Sequence, residues 1–293
     1  MNEQKVILVP VDFSQKSLIA LEQATHIAKL IKHDIMLLYV HEETGVFSKL
    51  FSDNTEDTKV FDKIQEKLNE VSAQFGKVCG VRIKTMLAKG RVSSKIVEIA
   101  EMLNAHMILM GTNSEPEHVK TIGANTHRIV RWAKCPVITI NGSEHHEGCR
   151  SILLPLDISN ETRQKVTRAI EMAKYFGSTI KVVSALSHKY NKANIIKIKS
   201  QLNQVENYIL ERNISCHTEL IETSKKEKSV VPIILKYAEE QGDIDLIMIM
   251  TQQEVGWIEK FIDSEAQEMI RNSEIPVMSI APKEIGIIES KGF

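Results

Sequence analysis

The sequence predicts an α/β protein made of two tandem domains, each folded around a doubly wound parallel β-sheet. Residues 5–14 recur in register as residues 150–159, with an apolar run, a proline and an aspartate in both copies. Residues 135–140 recur in the same way as residues 275–280. The copies lie about 140 to 145 residues apart, a domain-sized period much longer than a solenoid repeat. Apolar and amphipathic segments also alternate along each half, which is typical of a parallel sheet covered by helices.

The first half opens with a continuous apolar run at 6–11, as expected of a strand covered on both faces. Ser14 is expected to cap the following helix, whose apolar positions from Leu18 to Ile31 have helical spacing. The same criteria predict further strands at 34–40, 81–87, 106–110 and 137–140, and further helices at 60–75, 93–103 and 125–133.

The second half repeats this order of elements. Its predicted strands are 152–156, 180–185, 215–221, 246–250 and 277–280, and its predicted helices are 161–176, 193–212, 229–241 and 264–273. Met102, Met107, Met110, Met248, Met250 and Met278 are all expected to face the cores of these elements and to fill gaps there.

The domain boundaries are expected at 1–142 and 149–282, followed by a tail at 283–293. The joint between them, at 141–148, is polar and short enough to keep the halves in contact. The apolar segments 137–140 and 277–280 close the two repeats, so we expect them to meet at the edges of their sheets. The halves would then pack as an intramolecular pseudo-dimer with an isologous interface.

Composition excludes several classes of protein. The 293 residues are 43% hydrophobic and carry a formal net charge of -1, which gives no reason to expect nucleic acid or an anionic membrane as a partner. The apolar runs are strand-length and no secretory signal is recognisable, so we expect a cytoplasmic protein. The four cysteines are scattered without a C-x-x-C pair, which indicates reduced thiols.

Candidate binding groups of the first half follow the predicted strands. Asp12 ends the first strand, Val40 ends the second, and Gly111 begins the loop after the fourth. The carboxyl ends of parallel strands meet at one edge of the sheet, where ligands bind. A carboxylate and main-chain groups suit adenine and ribose hydroxyls. A glycine lets the main chain approach a phosphate, and the helix that starts near Gly123 supplies unpaired N–H groups.

Together these residues resemble the universal stress proteins, with this chain as a tandem two-domain member. The resemblance covers almost the whole chain and is carried by residues 9–14, 110–112, 122–126 and 135–137, and by 155–157 and 275–277 in the second half. It implies a Rossmann-like, adenine-nucleotide alpha hydrolase-like fold and a stress-response regulator that binds adenine nucleotide. Nucleotide-binding members carry the motif G-x2-G-x9-G-[ST] and bind adenosine through the strand-one aspartate and the main chain near the end of strand two.

The resemblance implies a nucleotide site in the first half at Pro10, Val11, Asp12, Val40, Gly111, Thr112, Ser114, Gly123, Ala124 and Asn125. Ser114 replaces the second motif glycine, and Ala124 replaces the phosphate-binding hydroxyl. Asn125 is expected to compensate from the start of the helix. The resemblance implies ATP or AMP as the ligand, with Mg²⁺ only if ATP is bound. The acidic residues within 115–117 count against the triphosphate electrostatically.

The second half departs further from the motif and is expected to be a degenerate scaffold. It keeps Asp157, but residues 251–254 contain no glycine. Asp263 precedes the last helix where the motif has glycine, and a carboxylate there repels phosphate from the helix amides. Asp12 and Asp157 also have a purely structural interpretation, because an aspartate closes the turn after a strand and caps the next helix.

Two classes of function stay open. The first is a regulatory protein that senses adenine nucleotide in the first half and acts through an unknown protein partner or a homodimer. The second is a structural or interaction module that binds no nucleotide in either half. A weak ATPase is a third interpretation, although no catalytic triad or Walker A spacing is readable. Val255, Trp257 and Phe261 leave room for a small apolar ligand in the second half. We expect no metal site, because His145 and His146 are adjacent in a polar linker.

Overall fold

The computed structural model describes residues 5–42, 54–112, 122–142, 148–156, 162–186, 192–222, 229–251 and 264–281. Both halves contribute to one continuous ten-stranded sheet. The strands of the first half are β1 (Val6–Pro10), β2 (Asp34–His41), β3 (Ile83–Lys89), β4 (Met107–Gly111) and β5 (Val137–Ile140). Those of the second half are β6 (Ser151–Pro155), β7 (Thr179–Leu186), β8 (Cys216–Glu222), β9 (Leu246–Met250) and β10 (Val277–Ile280).

Helices cover both faces of the sheet. Those of the first half are α1 (Gln15–Ile31), α2 (Asn54–Cys79), α3 (Val92–Met102) and α4 (Ala124–Trp132). Those of the second half are α5 (Thr162–Phe176), α6 (Lys192–Leu210), α7 (Val231–Gln241) and α8 (Ser264–Asn272). Among the described helices, none has the length and apolar character needed to cross a membrane.

The strand order is β3-β2-β1-β4-β5-β10-β9-β6-β7-β8. Neighbouring strands within each half are parallel, and only the β5–β10 pair is antiparallel. Side chains alternate between the faces, as in any strand: Ile7 and Val9 join one core with α1, α2, α5 and α6, whereas Leu8 joins the other with α3, α4, α7 and α8. These parallel sheets within two repeats confirm the predicted fold class.

The closing strands meet as predicted, and their register is that of a two-fold axis. Ile138 pairs with Met278, its own counterpart in the repeat, while Val137 pairs with Ser279 and Thr139 with Val277. Each contact therefore recurs with the halves exchanged, which defines an isologous interface. Thr139 Oγ1 also donates to Val277 O at 3.2 Å.

A second contact between the halves joins the ends of α1 and α5. His33 Nδ1 lies 2.8 Å from the Ile31 carbonyl oxygen, so it carries the proton and leaves Nε2 to accept from the Tyr175 hydroxyl at 2.5 Å. The Tyr175 ring stacks on His106 with centroids 4.7 Å apart. Burial, together with the neighbouring His33 and Lys5, lowers the pKa of His106 to about 4. The junction thus joins an aromatic ring of the second half to two imidazole rings of the first.

Three predictions need correction. The helix expected at 60–75 extends over Asn54–Cys79, because a polar composition does not distinguish a loop from an exposed helix. The strand expected at 81–87 is found at Ile83–Lys89, where it pairs with β2. Met102 does not face the core: it ends α3 with 66% of its surface exposed. The expected tail at 283–293 lies outside the described residues.

Candidate functional site

A cavity of about 350 Å³ opens at the carboxyl ends of β1, β2 and β4. Its polar lining residues are Asp12, Ser14, Ser17, Asn125 and Thr126. Its other lining residues are Pro10, Val11, Leu38, Tyr39, Val40, Val92, Ile96, Met110, Gly111, Gly123, Ala124 and Ile129. The fold therefore brings together eight of the residues expected at the site from sequence: Pro10, Val11, Asp12, Val40, Gly111, Gly123, Ala124 and Asn125.

Asp12 is held by the turn that connects β1 to α1. Its Oδ1 accepts from the Ser14 main-chain N–H at 3.0 Å and from the Ser14 hydroxyl at 2.5 Å. Ser14 in turn caps α1 by accepting from the Ser17 N–H at 3.3 Å. The structural interpretation of Asp12 is therefore correct for the turn but wrong for the cap, which Ser14 provides. The role in the turn is compatible with the binding interpretation, because Asp12 is exposed at the cavity. The turn fixes the direction of the carboxylate before any ligand arrives.

Phe13 adopts a backbone conformation that is rare for a bulky residue. Its φ is 64°, in the left-handed region where a side chain costs about 1–2 kcal/mol. The ring stacks on Tyr39 with centroids 5.3 Å apart and an interplanar angle of 21°. Tyr39 lines the cavity, so an aromatic pair joins the ends of β1 and β2 beside Asp12. Sequence reasoning missed this pair, although both residues are neighbours of predicted site positions.

Gly111 is required by packing. A Cβ atom at this position would lie 2.6 Å from the Lys16 carbonyl oxygen and 2.7 Å from its carbon. The first turn of α1 therefore rests directly on the end of β4. The sequence suggested that this glycine admits a phosphate; the structure supplies a second reason for it, and the phosphate role stays a prediction.

Thr112 and Ser114 are the two predicted site residues that are not among the described residues lining the cavity. Thr112 is buried and is not one of the residues that line the cavity. Its main-chain N–H donates to Ile140 O at 2.8 Å, and its hydroxyl lies 3.3 Å from both Ile140 O and Asn141 Oδ1. Thr112 thus links the end of β4 to the end of β5. Ser114 lies outside the described residues.

The start of α4 closes one side of the cavity. Gly123 is the N-cap and makes no side-chain cap hydrogen bond, and the first turn contains no acidic residue. The first N–H groups of a helix have no partner within it and carry partial positive charge. Burial, together with the neighbouring Arg131 and Arg128 of the same helix, lowers the pKa of His127. This end of the cavity is therefore suited to an anion.

Comparison with known proteins identifies the chain. Residues 4–141 and 148–280 each match the model of the universal stress protein family. The chain belongs to that family. A universal stress protein of Methanocaldococcus jannaschii is 29% identical over 143 residues, 47% of this chain and 83% of the relative. The universal stress protein A homolog 1 of Coxiella burnetii is 27% identical over 141 residues, 46% of this chain and 95% of the relative.

A solved structure shares the architecture over nearly the full length. The crystal structure of a universal stress protein from Archaeoglobus fulgidus DSM 4304 superposes with a TM-score of 0.73, covering 96% of this chain and 97% of that one. The sequence identity is 20%, so the likeness concerns the fold.

The second half of this universal stress protein departs from the first at the equivalent sheet edge. Thr251 donates its main-chain N–H to Ile280 O at 3.2 Å, the bond that Thr112 makes to Ile140. Met250 therefore occupies the position of Gly111. Ser264 begins α8, with Glu265 in its first turn. Asp157, Asp263, Val255, Trp257 and Phe261 lie outside the described residues.

The cysteines and histidines form no further site among the residues the structure describes. Cys79, Cys135, Cys149 and Cys216 are not in disulfides. Burial raises the pKa of Cys135 to about 11 and that of Cys149 to about 12, which keeps both thiols protonated and unreactive. Within the described segments no group of metal-ligating side chains could hold an ion. His145 and His146 lie outside these segments.

Proposed function

We propose that this universal stress protein is a cytoplasmic stress-response regulator that binds an adenine nucleotide, ATP or AMP, in the first half. The second half serves as a scaffold. The observation that carries the proposal is the cavity at the carboxyl ends of β1, β2 and β4, which both Asp12 and the start of α4 line. A ligand that carries both hydroxyl groups and a phosphate matches these two lining groups.

The dimensions and lining of the cavity suit a nucleotide. Ligand cavities usually measure about 300–1,000 Å³ and combine apolar walls with a few directed polar groups, and the volume here is about 350 Å³. Val11, Leu38 and Val40 offer an apolar wall for a base, and Asp12 offers a carboxylate to ribose hydroxyls.

Charge distinguishes the two halves as anion sites. Asn125 and Arg128 of α4 correspond to Glu265 and Glu268 of α8. A carboxylate in the first turn of a helix competes with a phosphate for the same N–H groups. This difference supports nucleotide binding in the first half and a scaffold role for the second.

The proposed activity is binding. Among the described residues that line the cavity, Asp12 is the only carboxylate, so Mg²⁺ would enter with ATP and be held mainly by its phosphates. The second candidate function is an interaction module that binds no nucleotide. It is favoured by the hydrogen bonds that tie Asp12 to Ser14 and by the alanine at position 124.

Calorimetric titration with ATP, AMP and cyclic AMP, with and without magnesium, tests the proposal. We expect saturable binding of one nucleotide per chain. Asp12→Ala removes a charge-assisted hydrogen bond to ribose and should weaken binding about tenfold or more. The matched control is Asp157→Ala, at the equivalent position of the second half, which should leave the affinity unchanged.

Three results contradict parts of the proposal. An equal loss of affinity in both variants would mean that the active half is wrongly assigned. Binding of two nucleotides per chain would mean that the second half is not degenerate. A folded protein that gives no heat with any nucleotide favours the interaction module.

A further inference from the structure

We propose that Asn141 is a positioning residue that couples the first-half cavity to helix α8 of the second half. Asn141 is the first residue after β5, at the boundary between the halves. Its side chain contacts the framework of the cavity on one side and the second half on the other. This inference rests on the proposed function. It states how binding of a nucleotide in the first half would change the second half.

On the cavity side, Asn141 contacts α1 and the end of β4, two of the elements that line the cavity and that we call its floor. Its Oδ1 accepts from Lys16 Nζ at 2.9 Å and from the Thr112 hydroxyl at 3.3 Å. Lys16 Nζ also donates to the Asn141 carbonyl oxygen at 3.2 Å. Lys16 lies in the first turn of α1, and Thr112 directly follows Gly111 at the end of β4.

These two elements touch each other at the cavity wall. The Lys16 carbonyl group is the one that a side chain at Gly111 would overlap. Ser17, the next residue, lines the cavity, and its hydroxyl lies 3.4 Å from the main-chain nitrogen of Asp12. Any ligand that orders Asp12 and the end of β4 therefore acts on the residues that Asn141 holds.

On the other side, Asn141 completes the end of α8. Its Nδ2 donates to the Arg271 carbonyl oxygen at 2.8 Å. The last carbonyl groups of a helix have no partner within it, so Asn141 supplies one from the other half. The orientation of its amide is determined by chemistry, since the Lys16 ammonium only donates and the Arg271 carbonyl only accepts.

The chain then continues in direct contact with the second half. A Cβ atom at Gly142 would overlap the Glu274 carbonyl oxygen, just before β10. The second half therefore constrains Asn141 in two ways: Arg271 holds its side chain, and Glu274 limits the main chain at the next residue. Movement of α8 and movement of the cavity floor are transmitted through the same residue.

The second half has no equivalent link. Ala281 follows β10 where Asn141 follows β5. Alanine has no side-chain donor or acceptor, so the reciprocal bond to the end of α4 cannot form. The half proposed to bind nucleotide is thus the one that carries the polar link, which is the asymmetry expected of a sensor coupled to a scaffold.

Hydrogen exchange of the whole protein tests the coupling, with ATP as the probe. Asn141→Ala copies Ala281 and removes the link. Thr139→Val is the matched control: it removes another hydrogen bond between the halves, to Val277, which does not involve the cavity. In the wild type, saturating ATP should slow exchange in the last turn of α8 about threefold to tenfold. In Asn141→Ala that slowing should disappear and the Kd for ATP should rise by a similar factor.

Thr139→Val should keep both the slowing and the affinity. If Asn141→Ala behaves like Thr139→Val, the coupling is wrong. A third variant, Asn141→Asp, keeps the acceptor for Lys16 and loses the donor to Arg271. It should retain wild-type exchange in the first turn of α1 and show faster exchange in α8.

Exchange without nucleotide separates this inference from the proposed function. Asn141→Ala should speed exchange both in the first turn of α1 and in the last turn of α8, whereas Thr139→Val should leave α1 unchanged. If the wild type binds no nucleotide, the proposed function fails and this measurement still decides the coupling. Unchanged exchange at both places in Asn141→Ala would overturn it.

Discussion

Gly111 and Met250 occupy the same position at the ends of β4 and β9, and they leave the two halves with different sheet edges. In the first half, the missing side chain lets α1 rest on the strand beside a cavity. In the second half, a buried methionine fills that position. The two halves therefore keep the same α/β core beside sheet edges that carry different residues.

The cores of the two halves are closely alike. Both halves bury the same alternating strand residues against helices on two faces. Gly111 and Met250 lie at the last position of their strands, so their difference leaves the rest of the buried apolar surface unchanged. Loss of a binding site at this edge in one half would therefore cost little stability.

Asn125→Glu should have the largest effect on nucleotide binding, because it transfers Glu265 of α8 into the equivalent position of α4. The added carboxylate faces the N–H groups proposed to bind phosphate, so we expect the Kd for ATP to rise about tenfold. Adenosine has no phosphate and should bind unchanged. Titration of both ligands measures the effect, and Asn125→Gln controls for size. An equal loss for adenosine would place the phosphate elsewhere.

The junction of His33, His106 and Tyr175 predicts a pH dependence that the second half does not share. Asp245 stands where the first half has His106, and it is paired with Arg150 at 3.0 Å. The pKa of His106 is lowered from 6.5 to about 4 in the folded protein, so the unfolded chain binds more protons between these values. Its contribution to stability is complete above about pH 6.5 and is lost as the pH falls toward 4.

Because His106 is only half-buried, we expect this loss to amount to about 1–2 kcal/mol in the free energy of unfolding. His106→Phe keeps a ring against Tyr175 and removes the titration. Urea unfolding at pH 7.5 and pH 4.5 should show a smaller difference in this variant than in the wild type. Identical pH profiles would show that His106 does not titrate as the junction implies.

The ends of α1 and α5 offer the smallest test. Lys32 and Gly177 stand at equivalent positions in the left-handed conformation, with φ of 55° and 73°. Each donates its N–H to the preceding turn, to Ala28 O and Ala173 O. A lysine is strained in this conformation and glycine is not. Lys32→Gly should therefore raise the free energy of unfolding by about 0.5–1 kcal/mol.

Thermal unfolding measures this change, and the reciprocal Gly177→Lys should lower stability by a similar amount. If Lys32→Gly is destabilising, contacts of the lysine stem outweigh the backbone strain.

Much of the fold was predictable because it depends on local patterns. The strands at 137–140, 246–250 and 277–280 have the predicted bounds, since apolar runs between polar turns mark buried strands clearly. The cap at Ser14 is also confirmed. The start of α2 was not, because its first turns are polar and share the composition of a loop.

The site was predictable only in part. Asp12, Val40 and Gly123 could be placed at one sheet edge, since parallel strands end on the same side. The stacking of Phe13 on Tyr39 and the burial of Thr112 could not, because both depend on how neighbouring strands and helices approach in space. The position of a residue in a motif does not show whether its side chain faces the cavity or packs inside the protein.

The duplication, the α/β class and the loss of motif residues in the second half could all be read from the sequence, because they follow from residue types and their spacing. The joining of the halves into one sheet through β5 and β10 appears only in the three-dimensional structure. The same is true of the close approach of Lys16 to Gly111 and of the hydrogen bonds of Asn141 to Lys16 and Arg271. Such contacts link residues far apart in the chain, so their existence depends on the packing of whole elements.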